Sequence, residues 1–180
     1  MNSDNILSGQ APHLMTGADG NPIIVVGIAD IKVGKAPHNV RTTLGSCIAL
    51  CLYNAQMQAG GMLHLMMAEP PAVELAKGEI QKKAKYARTG IPELLRQMRI
   101  SFGLEPAQLT AKMFGGANLL PNVTRNIGQE NEVAVREILR GYGIRITGYM
   151  TGGTKGYKVD FDLNTGKVRC QLFGEAAQEI

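Results

Sequence analysis

The sequence predicts a mixed α/β fold in which helices cover a sheet. Three observations point there. Apolar runs of strand length recur between turns rich in glycine and proline. Two longer segments place apolar residues at helical spacing. The composition is that of a globular chain: of 180 residues, 44% are hydrophobic and 19% charged, enough to bury one core in a single domain.

The elements follow in order. Residues 1–21 are polar and glycine-rich and read as a flexible leader, with one domain over 22–180. Ile23 to Ile28 is a short β-type run, and Asp30-Ile31-Lys32-Val33 alternates in the manner of a strand. Val40 to Leu44 is a strand that leads into Gly45-Ser46. Cys47-Ile48-Ala49-Leu50-Cys51-Leu52-Tyr53 is a near-continuous apolar run, the mark of a strand covered on both faces. Asn54 to Ala59 turns the chain, and Gly60 to Met67 returns before Pro70-Pro71. Glu79 to Met98 has helical spacing through Ile80, Ala84, Ala87, Ile91, Leu94, Leu95 and Met98, interrupted by Thr89-Gly90 and Pro92. Leu109 to Phe114 is a strand, Ile127 to Leu139 a second helix, and Ile144 to Ile146 a strand. Tyr157 to Leu163 and Lys167 to Leu172 form a hairpin around Asn164-Thr165-Gly166.

Composition excludes several roles. Trp is absent and aromatics are 5%, so the stacking platforms of single-strand nucleic-acid binding are missing. The net charge of +4 is mild. Lys82, Lys83, Lys85 and Arg88 form the one basic cluster, which reads as a solvated helix face. No apolar run approaches the ~18 residues of a membrane span, and the first twenty residues lack the pattern of a secretion signal. Three cysteines make no disulfide framework, which fits a reducing cytoplasm.

The segment Thr42-Thr43-Leu44-Gly45-Ser46-Cys47 carries the chemistry. His64 follows Cys47 by 17 residues, at the far end of a hairpin that returns it beside the cysteine. A thiol next to an imidazole is the minimal set for attack on an acyl carbon. The turn at Gly45 and Ser46 can aim backbone N–H groups at an oxyanion. A third residue usually orients the histidine, and Thr42 and Thr43 both offer a hydroxyl. They are adjacent in a strand and point to opposite faces, so only one can serve. Between positions 31 and 67 there is no Asp or Glu; Glu130 and Asp160 are the distant candidates for a carboxylate. A zinc site from Cys47, Cys51, His64 and Cys170 is conceivable, but a gap of three residues between the first two is not the usual one. Cys51 and Cys170 read as packing residues, and His13 and His38 as surface residues.

Thr42 to Tyr53, Gly61 to His64, the Phe114-Gly115-Gly116-Ala117 turn, Ile127-Gly128-Gln129-Glu130-Asn131 and Gly152-Gly153, in that order, resemble the CheD family. The resemblance spans about residues 22–173. It implies a three-layer α/β/α sandwich with a mixed, largely antiparallel sheet. It implies a deamidase that converts selected glutamines of methyl-accepting chemotaxis receptors to glutamate with release of ammonia, without metal or organic cofactor. Cys47 is then the nucleophile, His64 its base and Thr42 the orienting residue, with Thr43 the alternative. A CheC-type response-regulator phosphatase is the implied partner, and a regulatory binding module for that phosphatase and receptors is the rival role. A cysteine protease or transglutaminase would use the same residues. No nucleic acid and no membrane insertion are expected.

Overall fold

A computed structural model of the chain describes residues 15–17, 19–78, 80–119 and 125–180. Its strands are β1 (Ile23–Val25), β2 (Asp30–Lys35), β3 (Asn39–Leu44), β4 (Ile48–Asn54), β5 (Ala59–Leu65), β6 (Thr110–Gly115), β7 (Arg145–Thr151), β8 (Tyr157–Asp162), β9 (Val168–Leu172) and β10 (Gln178–Glu179). Its helices are α1 (Ala72–Lys77), α2 (Ala87–Phe102) and α3 (Ile127–Gly141). The strands form two sheets of five, β1-β3-β8-β9-β10 and β2-β5-β4-β6-β7. Pairing is parallel in β1–β3 and β6–β7 and antiparallel elsewhere.

The mixed α/β class and the largely antiparallel pairing stand as expected; the order of layers is refined. Ile48, Leu50 and Leu52 of β4 and Leu63 and Leu65 of β5 face α2 and α3, whose Ile91, Leu94, Met98, Val135 and Leu139 complete the first core. Ala49, Cys51 and Met62 point the other way and meet Val40 of β3, Val159 and Phe161 of β8 and Val168 of β9. One face of the β4–β5 hairpin is therefore covered by helices and the other by the second sheet. An unbroken apolar strand reports that both faces are covered, not what covers them.

Local differences have local causes. The helix expected from Glu79 begins only at Ala87, because the segment before it is tied to the end of β5: the Met66 and Met67 N–H groups both donate to Lys85 O. Lys83 and Lys85 thus lie on a separate one-turn 3-10 helix (Lys83–Lys85) that Lys82 precedes, and Arg88 alone of that cluster is on α2. Pro92 stays inside α2. An interior proline costs about 3 kcal/mol, which the burial of Ile91, Leu94 and Met98, each 0% exposed, exceeds at about 1.5–3 kcal/mol per side chain. Residues 1–14 of the expected leader, His13 among them, lie outside the described residues. At its end, Met15 O accepts from Ile23 N, and the Asp19 carboxylate accepts from Asn39 Nδ2.

Topology gathers one set of strand ends. The last residues of β3, β5, β6 and β7 and the first of β4 and β8 share one edge of the two sheets. Gly115 and Gly116 close that edge at φ of +103° and +71°, backbone that side chains rarely adopt. Gly128, in the first turn of α3, sits so close that a Cβ there would overlap the Gly116 carbonyl.

Glycine to alanine inside a helix ordinarily stabilises by about 1 kcal/mol. For Gly128→Ala the overlap reverses the sign, with an expected net loss of about 1–3 kcal/mol. At Gly141, at the end of α3 with open space around it, the same change should be neutral to stabilising. Chemical denaturation of both variants checks the opposite signs; a Gly128→Ala protein as stable as wild type would contradict the packing described.

Candidate active site

Thr42 and His64 belong to different sheets. Thr42 lies on β3 and is 3% exposed, whereas Thr43 faces solvent. The Thr42 hydroxyl is 2.8 Å from Val26 O and 2.9 Å from His64 Nδ1. A carbonyl can only accept, so the hydroxyl proton goes to Val26 and its lone pair receives a proton from the imidazole. Nδ1 of His64 is therefore the protonated nitrogen and Nε2 carries the free pair. Nε2 is buried and has no partner among the described residues.

His64 is 2% exposed. It stands opposite Ala49 of β4 and Asp30 of β2. Burial lowers its pKa from an ordinary 6.5 to about 4, against the attraction of the Asp30 carboxylate. The ring is thus neutral near pH 7. Asp30 is the carboxylate that faces His64, one residue outside the acid-free window of the sequence. The distant candidates are engaged elsewhere: Asp160 pairs with Arg41 and Glu130 with Arg125.

Cys47 is half-buried and immediately precedes β4. Its side chain packs against the second core, on the face that carries Ala49 and Cys51. The last rung of the hairpin is Ile48 opposite Leu65, which makes Cys47 and His64 diagonal neighbours about 7–8 Å apart at the backbone. Thiol and imidazole thus share one face of the hairpin, with no hydrogen bond between Sγ and Nε2. Burial raises the Cys47 thiol above its ordinary value. Thiol and imidazole are both held in their neutral forms.

The turn that delivers Cys47 is braced from several sides. Gly116 N donates to Cys47 O at 2.8 Å and Ala117 N to Gly45 O at 3.0 Å. Gly115 is backed by Gly152 N, Asn118 N reaches Gly153 O, and the Tyr157 hydroxyl donates to Gly152 O at 2.7 Å. Asn131 Nδ2, from α3, lies 3.3 Å from Ser46 O and 2.8 Å from Met66 O. The segments singled out in the sequence thus converge on residues 45–47. The N–H groups of Gly45, Ser46 and Cys47 donate to no carbonyl among the described residues, and that of Cys47 lies against its own sulfur. A pocket of about 370 Å³ opens between Ser46 and the start of α3, lined by Ala117, Leu119, Ile127 and Gly128 among others.

The remaining candidates sit apart. Cys51 and Cys170 are buried in the second core as free thiols. His38 Nδ1 is 3.0 Å from Lys35 O on the surface. Among the described residues no three His, Cys, Asp or Glu side chains are gathered as a metal ion requires, and no helix is long and apolar enough to cross a membrane.

The comparisons with known proteins agree with one another. The family model for CheD, chemotactic sensory transduction, matches residues 69–172, a stretch that begins after His64. The chain is 38% identical to the "Probable chemoreceptor glutamine deamidase CheD" of Desulforamulus reducens, over 91% of this chain and 98% of that protein. It is 37% identical to the protein of the same name from Solibacter usitatus, over 87% and 93% of the two chains. It is 34% identical to the "Chemoreceptor glutamine deamidase CheD" of Halalkalibacterium halodurans, over 89% and 99%.

The depressed His64 pKa couples to stability. The unfolded chain binds a proton near pH 6.5 that the fold refuses until about pH 4. The stability from a neutral His64 is complete above the higher value and is lost as pH falls through the lower one. Urea unfolding at about pH 7 and about pH 4.5 should therefore show a larger loss for wild type than for His64→Gln. Equal losses would mean that the fold does not hold the ring neutral.

Proposed function

As the chain belongs to the CheD family, we propose that it is a protein-glutamine deamidase of chemotaxis. It hydrolyses the side-chain amide of selected glutamines on methyl-accepting chemoreceptors to glutamate and ammonia. The names of the relatives support the reaction and the substrate. The observation that carries the assignment to residues is the Thr42–His64 hydrogen bond, which leaves Nε2 free on the face that Cys47 shares.

In this mechanism the resting thiol and imidazole are both neutral. As Sγ of Cys47 bonds to the amide carbon, Nε2 of His64 takes the thiol proton. The carbonyl π pair moves to oxygen, where the N–H groups of the Gly45-Ser46-Cys47 turn stabilise it. The tetrahedral adduct collapses, the C–N bond breaks, and the imidazolium hands its proton to the departing nitrogen, giving ammonia and a thioester. Water then attacks the thioester while Nε2 accepts its proton. Collapse of the second adduct breaks the C–S bond and returns the proton to sulfur. The sum is amide plus water to acid plus ammonia, with no cofactor. Thr42 fixes the tautomer and aim of His64 throughout, and the pocket beside Ser46 has the volume of a small ligand site.

The same reading places the protein in the cytoplasm, where free thiols persist. It also gives the protein a CheC-type phosphatase as a partner, on the strength of the family resemblance.

Incubation with receptor, ammonia assay and mass spectrometry of the modified glutamines form the test. Cys47→Ala should release no ammonia above background. Thr42→Val should lower kcat by about 10–100-fold through misorientation of the base, and Thr43→Val should stay within about twofold of wild type. Ammonia release by Cys47→Ala at the wild-type rate would overturn the reading, as would backbone cleavage in place of amide hydrolysis.

A further inference from the structure

Asn131 is completely buried, yet its carboxamide is not used in packing alone. Its Nδ2 lies within hydrogen-bond distance of two carbonyls from separate segments, Ser46 O at 3.3 Å and Met66 O at 2.8 Å. Ser46 precedes the cysteine by one residue, and Met66 follows the histidine by two. The β4–β5 ladder stops between these points: its last rung is Ile48 with Leu65, and at Met66 the chain leaves the sheet to donate to Lys85 O. Beyond that rung the strands that carry thiol and imidazole have no backbone bond to each other. One NH2 group has two protons, enough to join both carbonyls at once.

We propose that Asn131 is a positioning residue that sets the separation of Cys47 and His64 by clamping the two strand ends together. The inference rests on the reading of that pair as nucleophile and base. Asn131 is too deeply buried to touch substrate, so it acts through the two segments and not on the reacting atoms. Its helix is brought close enough by Gly128, where only a hydrogen fits against the Gly116 carbonyl. Gly116 N and Ala117 N hold the same turn from the other side, through Cys47 O and Gly45 O. The turn is thereby gripped at three successive carbonyls, Gly45, Ser46 and Cys47. Of these three grips, only the one on Ser46 extends to the strand of the histidine. A brace that merely docked α3 on the sheet would need one acceptor; joining the two strand ends needs both.

The test uses the full chain with Asn131→Asp, which keeps shape but removes the donor pair, and Asn131→Leu, which keeps bulk without polarity. Each is confirmed folded by circular dichroism and studied well below its melting temperature. The first readout is deamidation of receptor, where kcat should fall about 100-fold, as for a small misplacement of reacting groups, with KM within about twofold. The second is the rate of Cys47 alkylation by iodoacetamide against pH, which needs no receptor. Its profile should move to that of His64→Gln, because the imidazole no longer reaches the thiol. A folded variant with wild-type kcat and a wild-type alkylation profile would overturn the inference. If Cys47→Ala still deamidated receptor, the assignment of Cys47 as nucleophile would fall, while the alkylation profile would still decide whether Asn131 couples thiol to imidazole.

Discussion

The hydrogen bond from His64 Nδ1 to the Thr42 hydroxyl is the constraint on which the site depends. It joins the two sheets, because Thr42 is on β3 and His64 on β5. It also has a fixed direction, because Val26 O takes the hydroxyl proton. A buried imidazole with one nitrogen committed and the other free is a base of defined tautomer. Neither sheet supplies this alone. The packing of β3, β8 and β9 against the β4–β5 hairpin, and hence the whole second core, is what brings the hydroxyl to the ring.

Placement of Cys47 follows a different logic. Cys47 lies just outside the ladder, in a turn whose shape no strand pairing enforces. Neighbouring loops fix it instead, through the left-handed Gly115-Gly116 pair, the Gly152 segment under Tyr157, and α3 pressed close by Gly128. Turn carbonyls are consumed by these braces, while the Gly45 and Ser46 N–H groups have no acceptor among the described residues. That polarity suits a developing negative charge. Burial, in turn, keeps the thiol protonated and the imidazole neutral. On the deamidase reading, proton transfer then accompanies attack on the amide, and no standing thiolate is exposed to oxidants.

Much of this arrangement was legible in the residues. The apolar runs of 47–53 and 60–67 gave β4 and β5 nearly to their ends, and antiparallel return placed His64 beside the cysteine. Alternation showed that Thr42 and Thr43 face opposite ways, yet it has two phases, and only the packing of β3 on the hairpin turns Thr42 inward. The second sheet was hidden because strand burial is indifferent to what does the covering. Basic residues 82–88 looked like one continuous helix because their spacing matched, while the bonds of Lys85 O to Met66 and Met67, which set the 3-10 turn of Lys83–Lys85 apart from α2, are long-range. Asp30 stood at the start of an expected strand, but its position opposite His64 depends on the β2–β5 register. The Gly128 to Asn131 segment was visible only as a motif, since its contacts are with residues 46, 66 and 116.

The protonation state of His64 is the most direct measure of the account. Nitrogen-15 NMR of the imidazole, in protein labelled at histidine and assigned with a His64→Gln variant, reads each ring nitrogen separately. Across the neutral range the account requires Nδ1 protonated, Nε2 bare, and no titration until well below the ordinary 6.5, toward the buried value of about 4. A proton on Nε2 with Nδ1 bare, or a doubly protonated ring near neutral pH, would contradict it.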